Sequence, residues 1–176
     1  MKPLTKTLLL LPLLLGVVKI GIAEDKTPNL IITGTVTTDS CTVSTDSQSL
    51  QVPLGDVVTG MFVRPGDTSP AKRFVIRLTD CDEGVTGATI TFSGTPDSYN
   101  PDLLKITKDT DSATGIGVGV ISDISAKPIP LGKATATKAL TSGDNTLVYW
   151  LRYQSTLDTV TAGAANAVMY FDLTYK

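Results

Sequence analysis

Apolar and polar positions alternate along much of this chain with the two-residue period of half-buried strands. The last fifteen residues show it at greatest length. Gly163, Ala165, Ala167, Met169, Phe171, Leu173 and Tyr175 are small or apolar, while Val168, Tyr170, Asp172 and Thr174 between them are mixed. The segment Leu147–Tyr153 predicts the central strand, with Leu147, Tyr149, Leu151 and Tyr153 on one face and Trp150 and Arg152 on the other. Phe74, Ile76 and Leu78 form the inward face of another strand that runs into Cys81, and Ala88, Ile90 and Phe92 that of the next. Shorter extended pieces are expected at Leu50–Gly55, Leu103–Ile106, the glycine-thinned Gly115–Ile121, and Pro128–Leu131. Pro53 marks the first of these as an edge or a sheet switch. Gly60–Pro70 and Ser93–Pro101 read as loops. No segment holds a helical period over three turns, and there is no linker, repeat or low-complexity tract.

The two ends complement each other. A long alternating strand with nothing after it leaves an open edge, which proteins normally avoid, so a pairing partner from outside is expected. Residues 1–23 read as a signal peptide: Lys2 and Lys6 are its positive region, Leu8–Val18 its apolar stretch, and Gly21 and Ala23 its small residues before cleavage. That apolar stretch is short for a membrane span. The expected mature chain then opens with Leu30, Ile32, Gly34 and Val36 on one face of a second half-apolar strand, and Ile31, Thr33 and Thr35 on the other. From alternation alone it is either a free segment or the first strand of the chain's own sheet.

Composition narrows the class. Cleavage would remove three lysines and no acid, leaving twelve basic against seventeen acidic residues and a formal charge of −5. The basic residues form no run, which argues against nucleic acid and against an anionic membrane surface. About 150 mature residues suit one domain with a real core. Few aromatics with abundant Thr, Val, Ala and Gly favour short strands in a sandwich. In an exported chain the two cysteines, Cys41 and Cys81, read as a structural disulfide. A redox or metal pair has no C-x-x-C spacing and no histidine to support it.

Candidate chemistry is sparse. The G-x-G pattern at Gly115–Gly119 has no following helix and no closing lysine, so close backbone packing or a bulge explains it better than a phosphate loop. Trp150 and Arg152 share a face where they can stack, as a ligand platform or simply as cover for the sheet. Without histidine a Ser-His-Asp or Cys-His arrangement is impossible. The carboxylate pairs Asp80/Asp82 and Asp109/Asp111 read as solvated turn residues, and no cofactor or metal is expected.

Taken in order, the segments resemble one family, over essentially the whole mature chain. Leu30-Ile31-Ile32-Thr33-Gly34-Thr35-Val36 precedes Cys41-Thr42-Val43; Phe74 to Cys81, Ile90-Thr91-Phe92-Ser93-Gly94-Thr95, Ala113-Thr114-Gly115-Ile116-Gly117-Val118 and Pro128-Ile129-Pro130-Leu131 follow; Val160-Thr161-Ala162-Gly163 leads to the penultimate Tyr175. This is similar to the subunits of chaperone–usher pili, of the type 1-like fimbrial kind.

The resemblance implies an all-β fold: an immunoglobulin-like sandwich that lacks its last strand and is completed by a strand from another chain. It implies a signal peptide (1–23), an N-terminal donor-strand extension (24–38) and a pilin domain (39–176). Leu30, Ile32, Gly34 and Val36 would be the donor residues. Gly163, Ala165, Ala167, Met169, Phe171, Leu173 and Tyr175 would line the acceptor groove, and the carboxylate of Lys176 would anchor the chaperone. The implied partners are a periplasmic chaperone, an outer-membrane usher and neighbouring subunits in a head-to-tail filament, with export through the periplasm to the cell-surface fimbrium. Ser93–Asn100 and Leu103-Leu104 look most similar to minor, adaptor-like subunits of the tip; the shaft subunit is the alternative. A free-standing secreted binding module, with a site near Trp150 or Ser93–Pro101, is the competing function; it would be stable and monomeric when made alone.

Overall fold

The structure, a computed structural model, describes residues 40–176. The expected signal peptide and donor-strand extension lie outside the described residues. Nine strands follow in chain order: β1 (Thr42–Val43), β2 (Lys72–Cys81), β3 (Gly87–Ser93), β4 (Leu104–Lys105), β5 (Ile116–Ser122), β6 (Pro128–Ile129), β7 (Lys138–Ala139), β8 (Gly143–Ser155) and β9 (Tyr170–Tyr175). One helical turn, α1 (Thr45–Gln48), and a 3-10 turn at Thr59–Met61 complete the list. A six-stranded sheet has the order β1-β2-β8-β5-β4, with β6 also on β5, and a three-stranded sheet has the order β7-β3-β9. Every ladder between these strands is antiparallel.

The alternation places the core as expected. Phe74, Ile76 and Leu78 of β2, Ala88, Ile90 and Phe92 of β3, and Leu147, Tyr149, Leu151 and Tyr153 of β8 are all buried between the sheets. β8 is central, pairing β2 on one side (Phe74 opposite Tyr149) and β5 on the other (Val120 opposite Leu151). Phe74, Phe92 and Tyr149 form an aromatic trio with ring centroids 5.0–6.1 Å apart. Such edge-on contacts add to what burial of the rings contributes.

Cys41 and Cys81 are joined in a disulfide with Cα atoms 4.0 Å apart. It ties the entry of β1 to the end of β2, next to a bulge between Leu78 and Cys81 where Asp80 takes a φ of 51°. The glycines of β5 serve close packing: a Cβ on Gly117 would stand 3.0 Å from Leu103 Cβ, and one on Gly119 3.1 Å from Leu103 Cδ2. Leu103 lies buried on that bare backbone.

Two sequence expectations need correction. Leu50–Gly55 is not a paired strand; it runs without regular structure, and among the described residues the backbone of Leu50–Val57 makes no hydrogen bond. Trp150 does not stack on Arg152: its indole N–H donates to Asp123 Oδ1 at 2.8 Å, which draws the ring toward the β5–β6 turn. The strong N–H donor finds an acceptor, as indole groups usually do.

Candidate functional site

The sandwich is open along one side. A groove of about 950 Å3 separates the Ser49–Val57 segment from the Gly163–Phe171 segment. Its floor is the core itself: Phe74, Phe92, Leu104, Val118, Leu151 and Tyr153. Such side chains are ordinarily covered by the sandwich's own strands.

Each wall is built by alternation. On one wall Val52, Leu54 and Val57 turn half-buried toward the core, while Gln51, Pro53 and Asp56 turn out. On the other, Ala165, Ala167, Met169 and Phe171 pack against the core, while Asn166, Val168 and Tyr170 are exposed.

The two walls use their backbones differently. β9 pairs with β3 through Tyr170–Tyr175, and among the described residues its other edge has no strand partner. Upstream, Ala164 N–H donates to Asp111 O (2.7 Å), Ala113 N–H to Ala164 O (2.9 Å) and Thr107 N–H to Asn166 O (2.7 Å). Tyr153 Oη donates to Ala165 O at 2.9 Å, so a phenol from the floor holds the wall in place. Leu50–Val57 opposite has no regular structure, and its backbone hydrogen-bonding groups are free among the described residues. Buried, unsatisfied backbone groups are costly, and an open apolar slot flanked by two free edges has the shape of a missing strand.

Placement of the expected site residues follows from this. Gly163, Ala165, Ala167, Met169 and Phe171 line the groove. Leu173 and Tyr175 continue the same face beyond it: Leu173 lies opposite Ile90, and Tyr175 Oη donates to the Cys41 carbonyl at 3.1 Å. Gly163 sits where its own backbone crowds Asp111–Ala113, so a Cβ there would fall 2.4 Å from Asp111 O. Leu30, Ile32, Gly34 and Val36 lie outside the described residues. The Leu50–Val57 wall was visible in sequence only as a brief alternation, with nothing to show that it faces Gly163–Phe171.

The chemistry of the groove is that of packing. Burial pushes the Tyr149 and Tyr153 phenols above the usual tyrosine range, as it does Tyr175. Both cysteines are in the disulfide. Among the described residues no cluster of His, Cys, Asp or Glu could hold a metal ion, and no helix is long and apolar enough to cross a membrane.

Comparison with known proteins agrees with the fold. Residues 30–176 match the family model described as fimbrial protein. A probable major fimbrial subunit, LpfA, of Escherichia coli O157:H7 is 37% identical over 155 residues, covering 88% of this chain and 86% of that protein. Among solved structures, a Burkholderia pseudomallei antigen and type I fimbria protein is 37% identical with a TM-score of 0.61, covering 78% of this chain and 91% of that one. The P pilus rod subunit PapA is 25% identical with a TM-score of 0.66, covering 77% and 99%. An immunoglobulin-like sandwich, a stapling disulfide and a site built for packing rather than chemistry thus fit one assignment: the chain belongs to the fimbrial protein family, the exported structural subunits, not enzymes, from which cell-surface pili are built.

Proposed function

We propose that this subunit polymerises by donor-strand exchange. A periplasmic chaperone first lends a strand to the groove between Ser49–Val57 and Gly163–Phe171; at the outer-membrane usher, the N-terminal extension of the next subunit replaces it. Addition of an extended segment to a sheet edge is an established recognition mode, with main-chain hydrogen bonds giving affinity and alternate side chains giving specificity. The observation that carries the reading is the pair of walls with free backbone edges facing each other across a groove floored by core side chains. The chain's own Leu30, Ile32, Gly34 and Val36 have the matching pattern. Each subunit gives one strand and receives one, a head-to-tail contact that does not close and so extends as a fibre.

Single substitutions test it in cells. Gly34→Leu and Ile32→Asp are expected to block incorporation into pili while the chaperone complex still forms, because the groove of the mutant subunit is unchanged; Thr33→Asp is expected to be milder. Normal assembly of all three would show that this segment is not a donor strand.

We assign the subunit to a minor, adaptor-like position on the resemblance of Ser93–Asn100 and Leu103-Leu104. One observation favours the shaft instead: the relatives LpfA and PapA are described as a probable major subunit and a rod subunit. Quantitative mass spectrometry of sheared pili separates the two, since an adaptor is present at a few copies per filament and a shaft subunit is the bulk of it.

A further inference from the structure

Beyond the groove wall, the chain enters a loop that displays apolar side chains and is nonetheless rigidly built. Val58 and Val63 are 68% and 70% exposed, and Met61 between them 39%. Phe62, within the same loop, is buried in the core as an anchor. The 3-10 turn closes on itself through Met61 N–H to Val58 O (3.1 Å) and Phe62 N–H to Thr59 O (2.9 Å). Asp67 Oδ2 then accepts from both Val63 and Arg64 N–H at 2.8 Å. Those two bonds hold its carboxyl below the usual carboxylate range. Ser155, at the end of β8, accepts Gly66 N–H at 2.9 Å and donates its hydroxyl to Arg64 O. A loop so fastened cannot fold its apolar side chains away from water, and a fixed apolar display of this kind marks an interaction surface.

Its position says what covers it. Asp56 and Val57 line the groove together with Gly163, and Val58 follows directly. The end of β8 connects both sides of that mouth: Thr156, just after it, donates its N–H to Gly115 O (2.7 Å) beside the Thr114–Thr161 bridge that precedes Gly163, while Ser155 grips the loop. All named ladders in this fold are antiparallel. A filling strand that is antiparallel to β9 runs its C-terminal end toward Gly163. In the incoming subunit Cys41, where the folded body begins, lies five residues after Val36. Five residues span at most about 18 Å. The incoming body is therefore tethered next to the Val58–Val63 loop.

We propose that this loop is a docking surface for the folded body of the incoming subunit, a second copy of this chain, so that Val58, Met61 and Val63 hold the joint between subunits in addition to the inserted strand. The inference rests on the groove-filling reading, and the test separates the two. The triple variant Val58→Ser/Met61→Ser/Val63→Ser is joined either to a synthetic peptide of residues 24–38 or to a whole wild-type subunit, starting from the chaperone complex. Dissociation is followed at one fixed denaturant concentration. The whole-subunit pair is expected to come apart at least about tenfold faster than wild type, the effect of losing about 1.4 kcal/mol, with peptide release unchanged. Equal rates for variant and wild-type pairs would overturn the docking surface while leaving the groove reading intact. Faster release of peptide and subunit alike would also overturn it, because the loop would then act through the groove. Failure of the peptide to enter even the wild-type groove would overturn both.

Discussion

Replacing Gly163 by alanine tests how the groove wall is held. The Cβ would lie 2.4 Å from Asp111 O, 2.5 Å from Ala113 N and 2.6 Å from Ser112 C, at a φ of 155°. All three are backbone atoms, so no side chain can rotate aside. The wall must move instead, which strains or breaks Ala164 N–H to Asp111 O (2.7 Å) and Ala113 N–H to Ala164 O (2.9 Å). Two hydrogen bonds at about 1 kcal/mol each, with overpacking of about 1–3 kcal/mol, give a loss of roughly 3–5 kcal/mol. That is a large share of the roughly 5–15 kcal/mol a domain holds in total. The assay is urea unfolding of the peptide-complemented domain, read by Trp150 fluorescence. With a slope of about 1–3 kcal/mol per molar, the midpoint should fall by about 1 M or more. Gly132→Ala is the control: it also has positive φ (74°) but nothing within 4 Å, so only the backbone penalty of about 1–2 kcal/mol applies. A Gly163→Ala midpoint no lower than that of Gly132→Ala would refute the crowding argument.

Two further outcomes are expected. Cys81→Ser should sharply lower periplasmic yield, since closing the 40-residue span between the cysteines is worth about 4 kcal/mol on the chain-entropy model; free-thiol titration of the denatured wild-type protein should find none, and two reactive thiols would sink the claim. Tyr149, Tyr153 and Tyr175 have folded-state pKa values raised by burial, so the stability they contribute is fully present below the unfolded-chain value near 10 and is lost as pH rises through the folded values; absorbance titration at alkaline pH, followed alongside unfolding, should show these three phenols ionising together with loss of the fold, and their ionisation while the domain stays folded at the unfolded-chain value would contradict it.

The strands that sequence reads well are those whose two faces meet different surroundings. Phe74–Leu78, Ala88–Phe92 and Leu147–Tyr153 alternate because one face meets core and the other solvent. The same signal gave the half-buried face from Ala165 to Phe171. Leu50–Val57 alternates too, yet has no strand partner among the described residues: the pattern reports burial of side chains and is silent about where backbone groups go. Phe62 was hidden in a loop of Gly and Pro, where no period marks an inward residue. β7, of two residues, and the single turn α1 are too short for any period to register. The fit of Gly163 against Asp111–Ala113 depends on a contact across fifty residues of chain, which no local pattern encodes.

The most direct test of donor-strand exchange is amide hydrogen exchange on the chaperone-released domain with and without a peptide of residues 24–38. Filling the groove should protect alternate amides of Leu50–Val57 (Pro53 has none) and, at the same time, of Gly163–Phe171 across from them. Protection on both walls at once is what a strand paired on its two edges must produce. Peptide binding that leaves the exchange of Leu50–Val57 unchanged would contradict the account.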